Sequence, residues 1–315
     1  MKLWMKVAVS VGLLALLFAV IPWSDLREGL ARLPPGLWAL VLLGFIAGHL
    51  VGVFKWRLFI NAGRAALRAV DAVQCYEAGL FANLCLPSIV GGDVLRIAMA
   101  GSFTSRPEAA LWGGVLDRVT DVASLAILVT GGALLAGSSL PGMGGELLLV
   151  AIVLAGFATM VAAPFVLRRP LVKWPRKLRR PIGRSLVAIR RLSREPGTAV
   201  AGLGLSLVIQ SSFVLLNAEL GAAIGVTVPV AVWFLVWPLA KIASLMPISL
   251  GGLAVREASL AALLAPFGTP IALGVLASLL WQTVLIGGGL AGGLTWLVLA
   301  QRRSTRNQPV RIRHV

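Results

Sequence analysis

Eight apolar runs divide this sequence, at about 3–22, 37–56, 72–100, 109–136, 146–167, 198–220, 230–265 and 271–299, and the breaks between them hold charges, proline or glycine. In lipid the backbone has no water to bond, so runs of about twenty apolar residues can satisfy their own N–H and C=O groups only as helices. Composition points the same way. The chain is 58% apolar and 13% charged, against roughly 45–50% and 25% for a soluble domain. Disorder, a secreted disulfide scaffold and a water-soluble enzyme fold are excluded. The expected fold is an all-α, multi-pass integral membrane protein, one transmembrane domain over residues 1–300 followed by a basic tail, 301–315.

The net charge of +17 is informative through its placement. Eleven basic residues lie between Arg168 and Arg194, five between Arg302 and Arg313, and four between Lys55 and Arg68, all read as breaks between apolar runs. Linkers 137–145, 221–229 and 266–270 carry no charge. Basic loops stay in the cytoplasm and bind the anionic leaflet, so this clustering predicts which linkers are inside. Applied throughout, the rule puts both ends of 72–100 inside and both ends of 230–265 outside. Each of these runs is then expected to be a broken re-entrant hairpin or a pair of short helices, while six runs cross fully. Both termini are expected in the cytoplasm of a cell inner (plasma) membrane. Lys2 and Lys6 precede an apolar run with no clear small-x-small cleavage site, so an uncleaved first helix is expected. Around the prolines of the linker 168–197, residues 182–194 have the spacing of a short amphipathic helix lying on the inner leaflet.

The two anomalous runs share a motif. Pro87-Ser88-Ile89-Val90-Gly91-Gly92-Asp93-Val94-Leu95-Arg96 and Pro247-Ile248-Ser249-Leu250-Gly251-Gly252-Leu253-Ala254-Val255-Arg256 both read P-x3-G-G-x3-R, 160 residues apart. At this composition the expected number of chance occurrences is on the order of 0.015. Proline removes a backbone donor and glycine weakens a helix, so each motif predicts unwound backbone between two half-helices. With one hairpin opening inward and the other outward, the halves, about 37–136 and 198–299, form an inverted repeat. Interrupted segments at matching positions of such halves mark midplane substrate sites in transporters.

Asn83-Leu84-Cys85-Leu86-Pro87 through Arg96, Leu116-Asp117-Arg118-Val119-Thr120-Asp121, and Pro247 through Arg256-Glu257 resemble the lysylphosphatidylglycerol synthase transmembrane region family, also called the flippase-like domain family. The resemblance spans roughly residues 5 to 300. In the bifunctional members it implies a flippase for aminoacylated phosphatidylglycerol fused to a soluble aminoacyl-transferase. Here the sequence reads as the stand-alone membrane half, which leaves the lipid open.

Charges inside a bilayer cost from about 2.5 to above 10 kcal/mol and need partners or water. Arg96 and Arg256 are the first candidates for substrate contact, each one turn into a half-helix that begins at Gly91-Gly92 or Gly251-Gly252. Backbone N–H groups, the positive helix end and a guanidinium then converge on one point suited to a phosphate. Asp93 and Glu257 accompany them, and Ser88 and Ser249 offer hydroxyls that also suit helix capping. Asp117 and Asp121, at i and i+4, with Arg118 and Lys241, form a candidate charge network. Ordinary anchoring of Arg96 and pairing of Arg256 with a buried acid such as Asp93 are the competing roles. The run Gly287-Gly288-Gly289 with Gly292-Gly293 reads as helix packing.

The function that fits is a translocase, not an enzyme, moving an anionic or lipid-linked headgroup between leaflets. Its partners are membrane lipids, with a homo-oligomer or a lipid-synthesis partner left open, and no nucleic acid. No phosphate loop, dinucleotide fingerprint, nucleophile elbow or zinc motif occurs. Cys75, Cys85, His49 and His314 have no metal-ligand spacing, so no cofactor is expected. The alternatives are a membrane-embedded transferase with Asp93 or Glu257 as base, and a non-transporting subunit of a lipid or polysaccharide synthesis complex.

Overall fold

The structure is a computed structural model that describes residues 23–86, 91–136, 196–244 and 254–306. The apolar runs 3–22 and 146–167, the amphipathic stretch 182–194 and most of the tail lie outside these residues, as do Ser88, Ser249, Gly251 and Gly252. Nine α-helices are described: α1 (Trp23–Ala31), α2 (Pro35–Ala62), α3 (Ala69–Cys85), α4 (Gly91–Phe103), α5 (Pro107–Ala136), α6 (Pro196–Ala223), α7 (Val230–Ser244), α8 (Val255–Leu264) and α9 (Ile271–Arg306). Among the described residues there is no strand. Four of the helices, α2, α5, α6 and α9, are long and apolar enough to cross a membrane. The chain is an all-α membrane protein.

Prolines set several of the boundaries. α2, α5 and α6 each open on proline, whose missing N–H is an unpaired donor position in any first turn. α7 instead carries Pro238 in its interior, which leaves the Phe234 carbonyl without its helical donor. Gly132 of α5 lies against that carbonyl, where a β-carbon would stand 3.0 Å from the Phe234 oxygen. The two helices therefore meet backbone to backbone at the point where α7 is weakest.

Both predicted breaks separate two packed helices, α3 from α4 and α7 from α8. The arms of the first hairpin touch at glycine. A β-carbon on Gly79 would come 2.7 Å from the Gly92 carbonyl oxygen, and one on Gly92 would overlap the Gly79 carbonyl. Contacts repeat between the halves: α3 packs on α9 and α7 on α5, α4 on α5 and α8 on α9, while α2 and α6 pack on each other. The glycines of α9 are used in these contacts. Gly288 faces Phe45, Gly289 faces Leu84, Gly292 faces Glu77 and Gly293 faces Phe81.

Two boundaries differ from the sequence reading. α1 was not expected, because its nine residues are too polar to register as an apolar run. The basic break that began at Lys55 is mostly helix: α2 continues to Ala62, and Lys55 is 2% exposed. The chain turns in the short segment 63–68, where the Asn61 side chain accepts from Leu67 N–H and donates back to the Leu67 carbonyl, which also accepts from Arg57.

Candidate functional site

Ionisable side chains gather inside the helix bundle in layers. The first layer is built on α5, whose Asp117 and Asp121 share a face one turn apart. Lys55 of α2 lies between them, its Nζ 2.9 Å from Asp117 and 2.5 Å from Asp121, and it also donates to Ser206 Oγ of α6 at 2.8 Å. Ser206 in turn lies 3.0 Å from Asp121 Oδ1. From α4, Arg96 donates to Asp117 at 2.7 Å and lies 3.0 Å from Asp93. Arg118 closes the ring, holding Asp93 in a bidentate contact at 2.6 and 2.5 Å and lying 3.8 Å from Asp121. Three cations and three carboxylates on three helices thus form one closed circuit, with neutral Ser206 on a fourth. Paired charges of this kind are what makes such groups tolerable in a membrane interior.

Within this circuit Arg96 and Arg118 differ in access. Arg96 is 4% exposed, and its guanidinium lies over the rings of Trp56 and Tyr76, 5.1 and 4.9 Å from their centroids. Arg118 keeps 42% of its side chain exposed. The convergence expected at Gly91-Gly92 takes a different form, because the Gly92 N–H donates to Asn83 Oδ1 of α3 at 3.0 Å. Asn83 caps the helix start and Asp93 sits in its first turn, so α4 meets its own electrostatic demand. Arg96 turns from that end toward Asp117.

Arg256 lies in the second half, at the start of α8. It donates to Glu257 Oε1 (2.7 Å), to Gln282 Oε1 (2.8 Å) and to Ser278 Oγ (3.1 Å), the last two being i, i+4 neighbours on α9. Glu257 is fully buried. The acid that pairs with Arg256 is therefore its neighbour Glu257; Asp93 belongs to the other layer.

Lys241 of α7 stands between these groups. Its Nζ donates to Gln210 Oε1 of α6 at 2.7 Å and lies 5.0 and 5.7 Å from the ring centroids of Trp237 and Phe213. At 1.5 Å per residue, Ser206 is about 15 Å and Gln210 about 21 Å along α6 from Pro196, so Lys241 reaches the middle of that helix. It is close enough to interact electrostatically with Asp121, Arg118 and Lys55 on one side and Arg256 on the other. His49, also midway along α2, lies 3.4 Å from the Tyr76 hydroxyl and packs against Phe45 and Phe213. An aromatic cluster runs on through Trp281 to Trp237. Glu219 is exposed near the far end of α6 and takes no part.

Sequence reasoning missed Lys55, Ser206 and Gln210. Lys55 is followed by Trp56, Phe59 and Ile60, an apolar continuation that marks it as intrahelical. Nothing local marks Ser206 or Gln210.

A family model described as the lysylphosphatidylglycerol synthase TM region matches residues 3–293. The chain belongs to this family. Membership covers both hairpins, the charged circuit and the Arg256 layer, and it makes the chain a multi-pass membrane protein of lipid metabolism or translocation. No curated protein and no solved structure matches the chain.

Proposed function

We propose that this family member is a lipid translocase that carries an anionic or lipid-linked headgroup from one leaflet to the other, acting as a transporter and not as an enzyme. The observation that carries the reading is the stepwise placement of cations through the bundle: Arg118 in the α5 circuit, Lys241 of α7 against the middle of α6, and Arg256 against α9. A headgroup phosphate is an acceptor like the carboxylates these cations already hold. It can share Arg118 with Asp93 and Arg256 with Glu257, so that its charge meets a cation at each step while the acyl tails remain in lipid. Arg96, enclosed by two aromatic rings and two carboxylates, holds α4 to α5 while this exchange proceeds.

Two observations favour transport over the alternatives. Asp93 and Glu257, the acids a transferase would use as base, are each bound by arginine. The glycine face of α9, which an assembly subunit could offer to a partner, is covered by α2 and α3.

The test is leaflet exchange of labelled phosphatidylglycerol and an aminoacylated analogue in vesicles containing the purified protein. Exchange several-fold above protein-free vesicles is expected. It should fall to background in Arg256→Ala, which leaves the α5 circuit intact, and in the Arg96→Ala, Arg256→Ala double variant. Absence of exchange for both lipids overturns the reading.

A further inference from the structure

Among the described residues the cluster is not electrically balanced. Lys55, Arg96, Arg118, Lys241 and Arg256 face Asp93, Asp117, Asp121 and Glu257, which leaves one formal positive charge in excess. The surplus falls on Lys241. Among the described residues every other cation of the cluster has a carboxylate within 4 Å, whereas Lys241 has a neutral amide oxygen and two ring faces. Glu77, a further buried carboxylate, lies against Gly292 of α9. An ammonium carries three N–H donors, and Gln210 takes one. Ring faces attract the cation without removing its charge. A membrane interior does not tolerate a net charge without a counter-ion, and Lys241 is half-buried, not sealed.

We propose that Lys241 is an anion-binding residue at mid-depth, holding a single phosphate monoanion, such as the phosphodiester of a lipid with no other net charge, between Trp237, Phe213 and Gln210. The assignment rests on the translocase reading and adds to it the ligand class and the residue that meets the ligand midway. Two free N–H donors match the non-bridging oxygens of a phosphodiester. A surplus of one positive charge selects a headgroup of net charge −1 over a zwitterion.

Equilibrium binding to the purified full chain in detergent tests this, with dihexanoyl-phosphatidylglycerol, dihexanoyl-phosphatidylcholine and inorganic phosphate as probes. The anionic lipid is expected to bind at least tenfold tighter than the zwitterionic one. Lys241→Met should lose at least tenfold for the anionic lipid and bring the two lipids together, while Lys241→Arg should stay within about threefold of wild type. Displacement of the lipid by inorganic phosphate identifies the phosphate group as sufficient; failure to displace shows that the lipid body is also required, and either result supports the anion site. Equal binding of both lipids by wild type, or undiminished binding of the anionic lipid by a folded Lys241→Met protein, overturns it. Binding lost in Lys241→Met while wild type shows no leaflet exchange sinks the translocase reading and keeps the site. Exchange that Lys241→Met leaves unchanged does the reverse.

Discussion

Lys55 lies two turns from the end of α2, and its ammonium is the group that lets Asp117 and Asp121 sit on one face of α5. Without it the two carboxylates repel in a low-dielectric setting where neither is fully screened. Lys55→Met keeps the length and apolar character of the side chain and removes the charge. It should destabilise the protein by about 3–5 kcal/mol, the usual cost of breaking a buried pair by deleting one partner, and thermal unfolding in detergent would measure the loss. Lys55→Arg should cost less, since a guanidinium can span both acids. No change in Tm for Lys55→Met would show that the α5 acids do not depend on this cation. At this scale Asp117, Arg118 and Asp121 could be read from their spacing on one helix. For Lys55 the apolar residues that follow show only that it lies within a helix; its place between Asp117 and Asp121 could not be read, because those acids belong to another helix.

The hairpin of α3 and α4 depends on the absence of two side chains. Gly79 and Gly92 let the helices touch through their backbones, and Asn83 then reaches the first free N–H of α4. Gly92→Ala pushes a methyl group into the Gly79 carbonyl and the Asn83 side chain. The arms must part, at a cost of about 1–3 kcal/mol, and the Asn83 cap is lost with them. Gly204 on α6 is the control, because nothing lies within 4 Å of its added β-carbon; Gly204→Ala should be neutral or stabilise by up to about 1 kcal/mol. Unfolding transitions of the two variants side by side check the contrast, and equal behaviour would contradict the close approach. The Gly-Gly pairs were legible as breaks, since glycine and proline act locally. That Gly92 serves contact and capping more than anion binding was not, because Gly79 and Asn83 lie on another helix.

Across the whole molecule the contacts of one half recur in the other, with the first arm of each hairpin packed on the last helix of the opposite half. Such crossed packing ties the halves together through α3 on α9 and α7 on α5, and puts charged residues of both near α2 and α6. The orientation of the two hairpins can be tested directly. Ser105→Cys and Pro270→Cys, each in a background without Cys75 and Cys85, place one label site in an exposed position of each linker. An impermeant maleimide should reach position 105 from the cytoplasmic side and position 270 from outside. Labelling of each from the opposite face would remove the inverted arrangement. The repeat itself was legible because a ten-residue pattern recurring at this composition is improbable by chance.

Hydrophobic runs, proline and glycine act on the residues next to them, so the sequence by itself determined the helical membrane fold, the two broken segments and their near boundaries. It also determined the family, whose motifs are short and contiguous. Partner choice among the charges was decided only in three dimensions. Arg118 pairs with Asp93 25 residues away, and Lys55 with Asp121 across 66. Arg256 stays with Glu257, and Lys241 is left without an acid among the described residues. Coulomb interactions depend on distance through space and on how much water is excluded, and neither quantity is written in the order of residues along the chain.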